Sequence, residues 1–228
     1  IDYAYGRNAP VSPRPMMILG IALIVGLAIP FGLLYLIGML DTTIRGRKDI
    51  EDKLSIPFLG DIPEYHGSTR QGSVVVRDNG RDSVSEAFRL IRSNLGFMSV
   101  KSGKLQIIMV TSSNPHAGKT FVTTNLAMTL ALADKKVVIV DLDLRRRTLS
   151  KQMGQRDNRN GVSGYISGTI ANLNDIVFQS GLHENLDIIF AGLQPPNPAE
   201  MLLSEKFDEF MADLRKRYDY VVIDSVPA

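Results

Sequence analysis

From Met16 to Leu40 the chain runs for about 25 residues without a charge, more than the roughly 20 apolar residues a helix needs to cross the hydrocarbon core of a bilayer. Gly20, Gly26, Pro30, Gly32 and Gly38 punctuate this run, and such residues weaken a water-soluble helix but are tolerated in lipid. A secretory leader would have a shorter apolar core and a small-residue cleavage site. The pattern therefore predicts a transmembrane helix over residues 15–40. Residues 41–82 are mixed in charge and broken by Ile56-Pro57, Gly60, Ile62-Pro63 and Gly67, which reads as an extended juxtamembrane linker.

From residue 83 the pattern becomes that of a folded domain. Ser83 or Ser85 is expected to cap a helix through about Met98, with Phe88, Ile91, Leu95 and Met98 on its apolar arc and Glu86, Arg89 and Arg92 opposite. Buried-strand runs follow at Leu105–Thr111, Lys136–Asp141, Leu186–Phe190 and Tyr220–Asp224. An Ala- and Leu-rich helix is expected over Lys119–Leu132. An amphipathic helix capped by Ser204 carries Phe207, Phe210, Met211 and Leu214 on one face. Strands alternating with helices predict an α/β fold with a parallel, doubly wound sheet over residues 83–228.

Three fragments fall at the ends of those strands and share one chemistry. Ser113-Asn114-Pro115-His116-Ala117-Gly118-Lys119-Thr120 has the composition of a phosphate-cradling loop. Gly118 lets the backbone approach closely, Lys119 reaches the terminal phosphates, and the Thr120 hydroxyl suits Mg²⁺. Asp141 and Asp143 follow one strand and Asp224 ends another; hard oxygens at the carboxyl ends of parallel strands are what a magnesium nucleotide requires. Taken alone, strand-end acids are more often caps or partners of neighbouring arginines such as Arg145, Arg146 and Arg147. The strand–loop–helix context around Lys119 reverses that preference. His116 is read as a variable loop position, and His66 and His183 lie at no metal-ligand spacing. The expected cofactors are ATP and Mg²⁺.

Composition narrows the class. The chain has 228 residues and no cysteine, so neither a disulfide framework nor a thiolate site is available. A formal net charge of +2 is too small to suggest nucleic acid as a partner. Arg7 and Arg14 precede the apolar helix, and Arg45, Arg47, Lys48 and Lys53 follow it, a modest orientation bias. A nucleotide site requires the cytoplasm, so residues 1–14 are expected to form a periplasmic end segment and residues 41 onward to be cytoplasmic. Because the chain starts at Ile1 and stops just after the Asp224 strand, it is expected to be a piece of a longer protein with a C-terminally incomplete domain.

These motifs together resemble those of the bacterial tyrosine autokinases of exopolysaccharide co-polymerases, the Wzc-type BY-kinases. The resemblance runs through Pro10–Pro15, Ile56–Pro63, Glu86–Leu95, the phosphate loop, Val140–Arg145, Pro195–Leu202 and Tyr218–Asp224. It implies a P-loop fold of the MinD/ParA kind and ATP-dependent autophosphorylation on tyrosine. Lys119, Asp141, Asp143 and Asp224 would then be catalytic, with Thr120, Asp143 and Asp224 around the metal. Asp224 would orient a metal-bound water, and Asp141 would accept or orient the incoming tyrosine hydroxyl. Glu86, Arg89 and Arg92 match an oligomerisation motif, and a ring-forming octamer is implied. A cognate tyrosine phosphatase, the polysaccharide polymerase and export machinery, and the bacterial inner membrane are the implied partners and location. Of the seven tyrosines, Tyr3, Tyr5, Tyr35, Tyr65, Tyr165, Tyr218 and Tyr220 form no terminal cluster, so the acceptors are expected beyond Ala228. Two other readings stand beside this one. One is a ParA- or MinD-like ATPase switch, although Asn114 occupies the place of that group's early lysine; the other is a non-catalytic regulator of chain length.

Overall fold

The computed structural model describes residues 14–41, 46–51, 56–65, 74–102, 105–153 and 160–227. The expectations for residues 1–13, and for Tyr3, Tyr5, His66 and Ala228, lie outside the described residues. The chain divides into two compact units, Ile1–Phe58 and Leu59–Ala228.

The first unit is dominated by α1, Pro15–Leu40, with a proline in its first turn and Pro30 inside it. None of its residues is buried, and it has no polar face for water. A helix apolar all round belongs in the core of a large protein or in a bilayer. It is long and apolar enough to cross a membrane. A short helix, α2, follows at Arg47–Glu51.

The second unit is built on five strands: β1 Ile107–Val110, β2 Val137–Asp141, β3 Val177–Gln179, β4 Leu186–Ile189 and β5 Tyr220–Asp224. Their spatial order is β1-β5-β2-β4-β3. The first four in that row are parallel. The edge strand β3 pairs antiparallel to β4, an addition that three residues of β propensity did not announce. Around the sheet lie α3 Ser83–Ser102, α4 Lys119–Ala131, α5 Thr148–Gln152, α6 Val162–Ile166, α7 Pro198–Leu202 and α8 Glu205–Arg217.

Strand alternation distributes the core between two faces. Val137, Ile139, Leu186, Ile188 and Val222 pack on the side of Phe88 from α3 and Leu126 and Leu130 from α4. Val138, Val140, Ile189, Val221 and Ile223 pack on the other, against Tyr165 of α6 and Phe210 and Leu214 of α8. Every residue of β2 is buried, as expected of a strand covered by helices on both faces. The expected cap of α8 is present, since the Ser204 hydroxyl oxygen accepts from the Phe207 N–H. For α3 the cap is instead Asp82, whose carboxylate accepts from the Ser85 N–H at 2.9 Å and the Ser85 hydroxyl at 2.6 Å. A carboxylate satisfies the exposed donors of a helix N-terminus as well as a hydroxyl does and gains from the dipole. These bonds hold the Asp82 carboxyl below its ordinary pKa.

The linker reading of residues 41–82 needs one correction. The described part from Leu59 onward belongs to the compact unit. Leu59, Ile62, Val74 and Val75 pack against the α3–α4 core, and Val76 is fully buried in it. The hydrogen bonds explain why an extended chain can lie there. Asn125 of α4, itself buried, accepts from the Val75 N–H at 2.8 Å and the Val76 N–H at 3.1 Å, while its amide group donates to the Phe121 carbonyl at 2.8 Å. Arg89 of α3 donates to the carbonyls of Gly80, Arg77 and Asp78. Side chains thus supply the partners that a neighbouring strand would otherwise provide.

A candidate nucleotide site at the strand ends

Parallel register sets the site. Val110, Asp224 and Asp141 are direct neighbours across β1, β5 and β2, forming one row at the carboxyl edge of the sheet, where open α/β sheets bind ligands. By alternation Asp141 and Asp224 point to the same face as Ile139 and Val222, the face covered by α4.

The loop after β1 turns sharply to enter α4. His116 has φ of 63° and Gly118 of 87°, both left-handed, a conformation that glycine adopts freely and that strains a histidine. Nothing lies within 4 Å of a Cβ built on Gly118, so its glycine serves conformation and leaves open space beside the backbone. Gly118 caps α4 with no side-chain hydrogen bond. The first N–H groups of the helix, and the positive end of its dipole, are therefore free for an anion. The left-handed turn at His116 is a property of its backbone and gives its side chain no part in the loop's shape. Lys119 extends its ammonium to the Ser112 hydroxyl at 3.0 Å, and Ser112 in turn donates to the Asn114 carbonyl at 2.6 Å.

Below the loop, α4 meets β5. The Thr120 hydroxyl donates to Asp224 at 2.7 Å and Thr123, one turn on, reaches the same carboxylate at 3.5 Å. Burial raises the Asp224 carboxyl above its ordinary pKa, the Thr120 bond opposes this, Asp143 adds to it and Lys119 lowers it. Asp143 sits in the turn after β2, accepting from the Arg146 N–H at 2.9 Å and the Thr148 hydroxyl at 3.3 Å. Lys119, Thr120, Asp143, Arg146 and Asp224 all line one cavity of about 230 Å³ beneath the loop, together with the mouth residues Pro115 and His116. Its donor set fits a magnesium ion: one hydroxyl and two buried carboxylates, incompletely compensated, suit a hard cation that completes its shell with phosphate and water.

Asp141 is the exception. Its side chain has 0% exposure and does not line the cavity. It accepts from the Asp143 N–H at 3.0 Å and the Ser150 hydroxyl at 3.2 Å, so it fixes the turn that presents Asp143. The direct contact with an incoming hydroxyl expected of it from the sequence is not offered by this geometry. Burial first, and then the charge of Asp224, push its carboxyl up to about 7, against the Asp143 and Ser150 hydrogen bonds. An unfolded aspartate titrates near 3.9. Between those pH values unfolding releases a proton, so stability is highest on the acid side and is lost as pH rises toward 7. Melting temperatures of the nucleotide-free protein should fall between about pH 4 and pH 7, and Asp141→Asn should flatten that slope; an unchanged slope in the variant contradicts the assignment.

Sequence reading missed Thr123, Ser150, Thr148 and Ser112, which bond the key groups, while Arg146, named there as a possible partner of the acids, donates its backbone N–H to Asp143. Only spacing signals the first: Thr123 lies three residues after Thr120 and so on the same helix face. The stripe on α3 also differs from a solvated face. Arg92 donates to the Thr129 carbonyl of α4 at 3.0 Å, Arg89 holds residues 77–80 and pairs with Glu86, and Glu86 is exposed.

A strand-borne phosphate loop, a lysine and threonine at its end and two carboxylates beside it define the P-loop nucleotide-binding class. Comparison with known proteins agrees: the family described as AAA domain matches residues 105–228. A putative tyrosine-protein kinase in the cps region of Klebsiella pneumoniae is 30% identical over 241 residues, covering 100% of this chain and 33% of that protein. The solved kinase domain of Escherichia coli tyrosine kinase ETK superposes with a TM-score of 0.71 at 29% identity, covering 81% of this chain and 74% of that one. The BceF tyrosine kinase domain gives a TM-score of 0.68 at 32% identity, covering 81% and 77%. The chain belongs to the bacterial tyrosine kinase family. It spans about a third of the length of the curated relatives it matches.

Proposed function

We propose that this chain is the membrane-anchored portion of an ATP-dependent protein-tyrosine autokinase of the bacterial inner membrane, with its kinase domain in the cytoplasm, acting in exopolysaccharide or capsule production. The observation that carries this is the convergence of Lys119, Thr120, Asp143 and Asp224 on one cavity at the carboxyl edge of the sheet, in a chain whose relatives are named tyrosine-protein kinases.

Phosphoryl transfer asks a protein for positioning and charge neutralisation rather than covalent chemistry. The loop Ser113–Gly118 and the first N–H groups of α4 would hold the phosphates, and Lys119 would neutralise their terminal charge. Thr120, Asp143 and Asp224 would hold Mg²⁺, which supplies further neutralisation at the transferring group. Asp224 is kept in place by Thr120 and Thr123, and Asp143 by the turn that Asp141 anchors. Incubation of the full-length protein with γ-labelled ATP followed by phosphotyrosine mapping tests the reading. Label on tyrosine supports it; hydrolysis to phosphate with no tyrosine labelled returns the chain to the ATPase-switch class.

The polymerase and export machinery and a cognate phosphatase are proposed partners by family, as is a homo-oligomeric ring. For the ring, Glu86 is the informative member of the stripe, because Arg89 and Arg92 are bound within the subunit. An exposed ion pair contributes about 0–1 kcal/mol, so Glu86→Ala should barely move the melting temperature. Light scattering is expected to show smaller assemblies for it; an unchanged mass would remove Glu86 from the interface.

A further inference from the structure

One side chain lining the nucleotide cavity has no part in holding the phosphates or the metal. Helix α5 turns Leu149 and Ser150 inward, where Ser150 bonds Asp141. Its other side carries Thr148 and Gln152, four residues apart and so on one face of the helix, and both line the cavity beneath the phosphate loop. Thr148 is already engaged, donating to Asp143 at 3.3 Å. The Gln152 carboxamide has no hydrogen-bond partner among the described residues.

Sheet order places this amide relative to the reaction. The row of strand ends runs β1, β5, β2. Neighbouring strands lie about 4.8 Å apart, so the ends of β1 and β2 stand roughly 10 Å from each other. The phosphate loop and the start of α4 follow β1, Asp224 ends β5, and Asp143, Thr148 and Gln152 follow β2. Resting on the kinase reading above, phosphates cradled by the loop put the leaving diphosphate on the β1 side. Phosphoryl transfer keeps the entering and leaving oxygens roughly in line with phosphorus, so the entering oxygen comes from the β2 side.

We infer that Gln152 orients that entering hydroxyl, its amide oxygen accepting from the O–H while its amide N–H donates to the transferring phosphoryl group. An entering hydroxyl needs an acceptor to aim its lone pair at phosphorus, and the charged phosphoryl group needs a donor. A carboxamide offers both at once. The other lining groups do not. Lys119 and Arg146 only donate, and the ionised carboxylates of Asp143 and Asp224 only accept and are assigned to the metal. The hydroxyls of Thr120, Thr148 and Ser225 spend their protons on Asp224, Asp143 and the Val110 carbonyl. His116 has an imidazole with both capacities, but it stands on the loop after β1, the leaving-group side. In the step itself the entering oxygen bonds to the γ-phosphorus and the bond from that phosphorus to the β,γ-bridging oxygen breaks. ADP leaves with the electron pair. The hydroxyl proton passes to water at the mouth, because a carboxamide is too weak a base to keep it. Water and a phenol present the same O–H to the amide, so Gln152 serves either.

Gln152→Met keeps an unbranched chain of similar length and removes both capacities. In the full, membrane-reconstituted protein, γ-labelled ATP with a Glu/Tyr copolymer reports transfer to tyrosine and release of phosphate from one reaction. The single-turnover rate should fall about tenfold to a hundredfold, while the dissociation constant for Mg·ADP stays within about twofold. The melting temperature should not move, because Gln152 is exposed. A fall in one product alone supports the inference for that nucleophile. Binding of Mg·ADP with aluminium fluoride, a mimic of the in-line transition state, should weaken about tenfold in the variant and needs no turnover. Wild-type rates for both products overturn the inference. So does an equal loss of affinity for Mg·ADP and for the fluoride complex, which marks uniform binding rather than orientation. If the wild-type protein labels no tyrosine, the kinase reading fails instead, and phosphate release with the fluoride complex still decides the role of Gln152.

Discussion

Lys119→Met is expected to abolish phosphoryl transfer while the domain stays folded. The side chain is half-buried at the mouth of the cavity, and its ammonium donates to the Ser112 hydroxyl, so its removal takes little from the fold. It is also one of the charges that hold Asp224 toward its ionised form. The methionine keeps an unbranched stem of similar length and removes only the cation. Losing one preorganised charge stabiliser costs about 3–4 kcal/mol in the transition state, or 10²–10³ in rate. Single-turnover transfer measured beside the melting temperature separates the two effects. Near-normal turnover by a folded variant would sink the assignment of this loop as the phosphate site.

The second large effect lies outside the cavity. Asn125→Leu preserves shape but leaves the Val75 and Val76 N–H groups without the carbonyl they share. Val76 is fully buried, so water cannot replace the partner without opening the core. A buried donor left unsatisfied costs about 1–3 kcal/mol, and the Val76 N–H alone places the loss in that range, with the part-buried Val75 N–H adding less. Asn125 lies on α4, the helix that begins at the phosphate loop, so loosening residues 74–76 also loosens one support of the site. Denaturant unfolding should show the loss, and hydrogen exchange should show faster exchange at residues 75 and 76. Asn125→Asp retains an acceptor and should recover part of the stability; equal losses in both variants would show that packing, rather than the hydrogen bonds, holds the segment.

Local signals in the sequence located β1, β2, β4 and β5 because each is a short, mainly apolar run, and β5 was placed to the residue. That Lys119, Thr120 and the two cavity acids line one cavity was legible for a related reason: each stands at or just past a strand end, which sequence order reveals. What escaped depends on distant partners. Val74-Val75-Val76 is a brief apolar run in polar surroundings, and the side chain that stabilises it comes from Asn125, 50 residues on. The depth of Asp141 was equally hidden. Two acids spaced as Asp141 and Asp143 look equivalent in sequence, but alternation turns Asp141 under α4 while Asp143 sits past the strand end in the turn. Strand β3 was missed because three residues of antiparallel edge carry too little pattern to be seen.

The docked segment also decides where the molecule can be divided. Residue 83 looks like a natural boundary, since the first long helix of the domain starts there and looser chain precedes it. A fragment cut at that point would lose Leu59, Ile62 and Val76 from the cover of the α3–α4 core, along with the Asp82 cap of α3. It would expose an apolar strip along Phe88 and Leu126 and invite self-association. A fragment starting at Leu59 keeps that cover and omits the lipid-suited helix, and so is the piece to make for solution work.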